Sequence, residues 1–168
     1  MNKQVISLLV DNHSGVLMRV CSLFGRRGFN IESLTVSATN DPAASRITLV
    51  VQNDQAVLDQ ILLQTARLVE TQQVFALNVD NSLLRELLLI KVKAGSKNRS
   101  ELREIANIFK AKTIDLSPDS MVFELTGEPE KIDSFLKMLA SFDILEMCRT
   151  GVTALERGGK HDHMQQPQ

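Results

Sequence analysis

Apolar residues in this chain change their spacing in the same order twice, and that order restricts the fold more than any composition figure. Val5-Ile6-Ser7-Leu8-Leu9-Val10 reads as a strand. Val16, Leu17, Val20, Cys21 and Phe24 then recur at three- and four-residue steps, the period of a half-buried helix. Ile31 to Thr39 alternates as a strand, Asn40-Asp41-Pro42 is turn chemistry, and Ser45 to Gln52 is a β-branched run. A second helix, capped by Asn53 or Asp54, places Val57, Leu58, Ile61, Leu62, Thr65 and Leu68 on one face. A short apolar strand from Gln73 to Val79 follows. The order is β-α-β-β-α-β.

Asp80-Asn81-Ser82 is a polar break, after which the order restarts. Leu83 to Lys93 begins as a run that fits helix or strand and ends in clear alternation from Leu88. Asn98 or Ser100 caps a helix carrying Leu102, Ile105, Ala106 and Phe109. Strands over Thr113–Leu116 and Met121–Gly127 flank a Ser117-Pro118-Asp119-Ser120 turn. Pro129 and Glu130 open a helix with Ile132, Phe135, Leu136 and Leu139 buried, and a last strand runs from Ile144 to Leu155. Two units of roughly eighty residues predict an α+β chain of two ferredoxin-like βαββαβ domains. Residues 1–79 form the first, 83–159 the second, and 160–168 read as a disordered tail. Apolar residues on the open sheet faces and edge strands predict an oligomer.

Composition removes several function classes. Two-fifths of the residues are apolar, enough for packed cores; net charge is −1, no long basic run occurs, and Trp and Tyr are absent. These features argue against nucleic-acid or anionic-membrane partners. No apolar run approaches the length of a membrane span, which predicts a cytoplasmic protein. Cys21 and Cys148 lie in apolar company and read as buried thiols. The three histidines are His13, His161 and His163. His161-Asp162-His163 has spacing a metal could use, but in a polar tail it reads as solvated. His13 has no second group placed to orient it. Neither catalytic residues nor a metal site nor a cofactor loop is indicated.

Asp11-Asn12-His13-Ser14-Gly15-Val16-Leu17 stands apart because its chemistry is that of the backbone. A helix starting at Gly15 directs unpaired N–H groups into the loop, beside a residue without a side chain, as carboxylate or phosphate binding requires. Asn12 and, past the Gly28 turn, Asn30 supply amides. Asn12 is equally readable as a helix cap, as is Ser14, and Asn30 as a turn residue. Gly15 and Asn30 fall at opposite ends of the first helix, some 15–20 Å apart at the standard rise. Two chains about a two-fold axis could bring them to one small ligand.

At these residues the chain resembles a family. Asp11 to Leu17, and Arg27-Gly28-Phe29-Asn30-Ile31-Glu32-Ser33-Leu34-Thr35-Val36, resemble the opening of the ACT domain in regulatory (small) subunits of acetohydroxyacid synthase, also called acetolactate synthase. The resemblance continues in Asp41-Pro42, Ser45-Arg46-Ile47-Thr48, Arg85 to Val92 and Arg149-Thr150-Gly151-Val152. It implies a non-catalytic subunit that forms a homodimer through its ACT domains and binds valine or a related branched-chain amino acid at their interface. Asn12, Gly15, Val16 and Leu17 would come from one chain and Asn30 and Ile31 from the other. It also implies a catalytic (large) subunit as partner, which this chain activates and renders sensitive to end-product feedback. No cofactor is expected in this chain; thiamine diphosphate, magnesium and FAD are expected in the catalytic partner.

Two other functions share the βαββαβ order. An RNA-recognition sheet needs exposed aromatics on its central strands, and Ile47, Leu49 and Val51 on the corresponding strand argue against it. An acylphosphatase-type enzyme needs an Arg in its first loop, and none lies between Val10 and Met18.

Overall fold

The computed structural model describes residues 2–158; the expected disordered tail, with His161 and His163, lies outside them. Contacts divide the chain into two units, one holding the residues up to Leu83 together with those from Val152, the other Leu84–Gly151.

In the first unit the order is β1 (Asn2–Asp11), α1 (Val16–Arg26), β2 (Ile31–Ala38), β3 (Ala44–Asn53), α2 (Gln55–Ala66) and β4 (Thr71–Leu77). The strands form an antiparallel sheet ordered β2-β3-β1-β4. Because side chains alternate along a strand, Ile6, Leu8 and Val10 of β1 and Ile47, Leu49 and Val51 of β3 share one face. They pack with Val16, Val20 and Phe24 of α1 and Leu58 and Ile61 of α2. The residues taken as the exposed sheet surface in weighing RNA recognition are therefore the interior. On the other face β3 presents Arg46, Thr48 and Val50, opposite Leu9, Ser7 and Val5. These too lack an aromatic side chain. Alternation separates the two sets, but only packing shows which set meets the helices.

That second face is not open. Val5, Ser7, Thr48 and Val50 are all buried. Ser33 and Thr35 of β2, in register with Val50 and Thr48, hold the backbone of Val152: Thr35 Oγ1 donates to its carbonyl at 2.8 Å, and its N–H donates to Ser33 Oγ at 2.9 Å.

The second unit runs β5 (Ser82–Lys93), α3 (Arg99–Phe109), β6 (Lys112–Leu116), β7 (Ser120–Gly127), α4 (Pro129–Met138) and β8 (Ile144–Arg149). Its strand order, β6-β7-β5-β8, matches that of the first unit. Leu88, Ile90, Val92, Phe123 and Leu125 meet Leu102, Ile105, Ile132 and Phe135 in a separate core. The ring of Phe135 stands edge-on to that of Phe123, with centroids 6.3 Å apart. The run that read as helix or strand is strand throughout, with Ser82, Glu86, Leu88, Ile90 and Val92 buried on alternate positions.

Two expectations fail here. The single strand from Ile144 to Leu155 is two strands, β8 and β9 (Thr153–Glu156), with the break at Gly151, whose φ of 84° lies outside the extended region. Cys148 is exposed and Cys21 only half-buried. Cys148 stands opposite Leu89, on the face of the sheet away from the helices, where alternation puts it despite its apolar neighbours. Among the described residues no helix is long and apolar enough to cross a membrane.

Candidate functional site

Gly15 begins α1 at φ 89° and ψ −16°, and no side chain caps the helix. The capping roles considered for Ser14 and Asn12 are thus not filled. Asn12 instead reaches across to the turn between β2 and β3: its Nδ2 donates to the Pro42 carbonyl at 2.9 Å and its backbone N–H to that of Ala43 at 2.7 Å. The first turn of α1 contains no acidic residue, so its N–H groups and the positive end of the helix dipole face the loop uncompensated. Glycine at position 15 follows from its backbone conformation rather than from crowding. The left-handed φ disfavours any side chain, and a methyl group placed there would meet no atom within 4 Å, so the approach to the helix start is clear.

The opposite side of the loop is held by the start of β4 and the turn before it. Asp11 N–H donates to the Glu70 carbonyl at 2.9 Å, and Gln72 Nε2 donates to Asp11 Oδ1 at 2.7 Å. The Glu70 carboxylate, with a side chain only 9% exposed, pairs with Arg19 one turn into α1. Pro42, Ala43, Glu70 and Arg19 thus position the loop from two directions. Sequence reading found none of them in this role, and the Asp41-Pro42 turn was the only hint. Of the residues expected to touch a ligand, Asn12 and Leu17 are exposed, whereas Val16 is buried in the core. Val16 can therefore offer its backbone N–H but not its side chain.

Asn30 and Ile31 follow the other end of α1. Gly28 at φ 69° ends that helix, with Phe29 N–H bonded to the Phe24 carbonyl at 3.0 Å and Gly28 N–H to that of Gly25 at 3.1 Å. The Phe24 and Phe29 rings meet edge-on at 6.1 Å. These are the paired bonds and apolar contact of a Schellman C-cap. Asn30 is exposed, and Ile31 packs partly on the core. α1 spans 11 residues, about 16 Å, so one protomer keeps Gly15 and Asn30 apart. β2 lies at the sheet edge, with β3 as its neighbour, and a register shift falls between Ile31 and Ser33.

The equivalent loop of the second unit, between β5 and α3, is filled by its own chain. Arg99 Nη2 donates to the carbonyls of Ala94, Ser117 and Pro118 at 3.2, 2.8 and 2.7 Å. A guanidinium gathering carbonyl oxygens gives this loop a chemistry unlike that of the first. The charge cluster of this unit lies at its other end. Arg149 of β8 pairs with buried Glu86 of β5 and with Asp133 of α4, the latter at 2.9 Å. Burial alone would lower the Arg149 pKa, but hydrogen bonds and the charges of Glu86 and Asp133 outweigh it and raise it above the ordinary value. Among the described residues no group of three or more His, Cys, Asp and Glu converges to hold a metal.

Comparison with known proteins covers both units. The "AHAS small subunit-like ACT domain" profile matches residues 6–73, and the "Small subunit of acetolactate synthase" profile matches 85–158. A probable acetolactate synthase small subunit from Archaeoglobus fulgidus is 44% identical over 158 residues, 94% of this chain and 99% of that one. The acetolactate synthase small subunit of Mycolicibacterium smegmatis is 43% identical over 153 residues, covering 91% and 90%. The crystal structure of the small subunit from Thermotoga maritima superposes with a TM-score of 0.87 at 34% identity, covering 95% of this chain and all of that one.

Proposed function

Since the chain belongs to the family of acetolactate synthase small subunits, we propose that it is the effector-binding, non-catalytic subunit of a two-component acetolactate synthase. In this reading it binds valine between the first units of two protomers, activates the large subunit and imposes end-product feedback on it. The domain division 1–79 and 83–159 is retained as the functional one, with effector binding in the first. The catalytic partner is taken to carry thiamine diphosphate, magnesium and FAD.

The observation that carries the effector site is the uncapped start of α1 at a left-handed Gly15, with open space before its N–H donors. An α-carboxylate suits those donors. Asn12 engages the Pro42 carbonyl through one hydrogen of its Nδ2, and its Oδ1 offers an acceptor for the α-ammonium group. Leu17, 37% exposed, offers an apolar surface for a branched side chain. Asn30 and Ile31 stand beside the edge of β2, and edge pairing of two copies would present them to the partner's helix start. Calorimetric titration of valine into the purified chain tests the site. Saturable binding is expected, with one or two valines per dimer, and an absence of heat at millimolar valine would remove it.

A further inference from the structure

Resting on that effector reading, we infer that the hydroxyls of Ser33 and Thr35 are a clasp through which the effector site controls the path of the chain at Val152. Three observations meet here. Val152 is held by both of its backbone groups, its N–H by Ser33 Oγ and its carbonyl by Thr35 Oγ1, and the residue is 4% exposed. Immediately before it, Gly151 at φ 84° is the pivot at which the chain leaves β8. That strand is fastened on the far side of the pivot by Arg149 to Glu86 and Asp133, and by Thr150 N–H to the Leu87 carbonyl at 3.1 Å. Finally, the strand that bears the two hydroxyls starts at the residues assigned to the effector. β2 begins at Ile31, directly after Asn30, and its register slips between Ile31 and Ser33.

A bulge at the start of a strand is the point where its register can shift against its neighbour, and in β2 that point lies between Ile31 and Ser33. A ligand that orders Asn30 and Ile31 selects one setting of that bulge. The setting fixes where Ser33 and Thr35 present their hydroxyls. Two side-chain hydrogen bonds to one residue are sensitive to such a shift, because each weakens steeply with misalignment. Effector binding thereby tightens the clasp, and an empty site leaves Val152 freer to detach. The coupling needs no large movement, since the ligand acts through its preference for one of two arrangements.

Amide hydrogen exchange at Val152 reads the clasp directly, because that amide is one of its two hydrogen bonds. The full-length chain and a Ser33→Ala/Thr35→Val variant are compared, with Thr35→Ser as the variant that keeps the hydroxyl. Without ligand, exchange at Val152 rises roughly tenfold in the double variant and stays at the wild-type rate in Thr35→Ser. With saturating valine it slows several-fold in wild type and Thr35→Ser and is unchanged in the double variant, although calorimetry still detects valine binding there. Equal ligand-free exchange in all three proteins would show that no clasp exists. Equal slowing by valine in wild type and double variant would show that the hydroxyls do not carry the signal. Absence of valine binding to wild type would overturn the effector reading and the coupling built on it, while the ligand-free comparison still decides the clasp itself.

Discussion

Asn12 and Pro42 are joined by a side-chain amide donating to a backbone carbonyl at 2.9 Å, and this one bond ties the loop before α1 to the turn between β2 and β3. On the proposed reading the amide serves two tasks, one Nδ2 hydrogen holding the turn and Oδ1 accepting from the effector. Asn12→Asp keeps an acceptor but loses the donor, and sets a charge beside the Pro42 carbonyl and the expected effector carboxylate. Asn12→Ala removes both. The alanine variant should bind valine about tenfold more weakly, the loss of one net hydrogen bond. The aspartate variant should bind more weakly still, and calorimetry ranks the two.

At Gly15 the backbone itself requires care in choosing a test. Any side chain at φ 89° is strained by roughly 1–2 kcal/mol, so a loss of binding in Gly15→Asp has two causes. Gly15→Asn separates them, since Asn has the same shape and tolerates the left-handed region about as well. Both variants should lose similar thermal stability. The Asp variant should bind valine at least tenfold more weakly than the Asn variant, because like-charge repulsion near the ligand carboxylate amounts to about a few kcal/mol. Equal affinities would mean that no carboxylate sits at this helix start.

Arg149 should matter for stability rather than for binding. Glu86 is 5% exposed, and removing its partner in Arg149→Met leaves a buried carboxylate uncompensated, which costs about 3 kcal/mol. Removing both charges in Glu86→Gln/Arg149→Met should cost less than the single Arg149→Met change. Denaturant unfolding of the three proteins checks the order, and valine affinity should be nearly unaltered throughout.

Val152→Ala keeps both backbone hydrogen bonds to Ser33 and Thr35 while deleting buried methyl groups. It should destabilise by about 2–3 kcal/mol yet leave valine-dependent protection at residue 152 in place. Side-chain packing and backbone clasp are thereby separated.

Much of the architecture was legible because the patterns were strong and local. The periods of Val16, Val20 and Phe24, and of Leu102, Ile105 and Ala106, marked helices, and β-branched alternation marked β1, β3 and β7. Gly28 declared the end of α1 by residue type alone. What escaped was tertiary in origin. Nothing near Asn12 in sequence announces Pro42 as its partner, and Glu70 lies 51 residues from the Arg19 that pairs with it. Gly151 was read through as strand because its neighbours are strand formers; only its φ breaks the run. The two faces of β3 were assigned in reverse, since alternation is symmetric until helices are placed on one side. For the candidate site, the residue types at Asn12, Gly15 and Asn30 pointed to small-anion chemistry, while the clamps that hold the loop required three dimensions.

The central claim is that this chain regulates rather than catalyses, and reconstitution tests it most directly. Acetolactate formation from pyruvate is measured with the purified chain alone, with its large subunit alone, and with both, across a valine titration. The account predicts no turnover by the chain alone and higher turnover by the pair than by the large subunit, with valine depressing only the activity of the pair. Turnover by the isolated chain supplied with thiamine diphosphate and magnesium, or a pair whose activity valine does not alter, would contradict it.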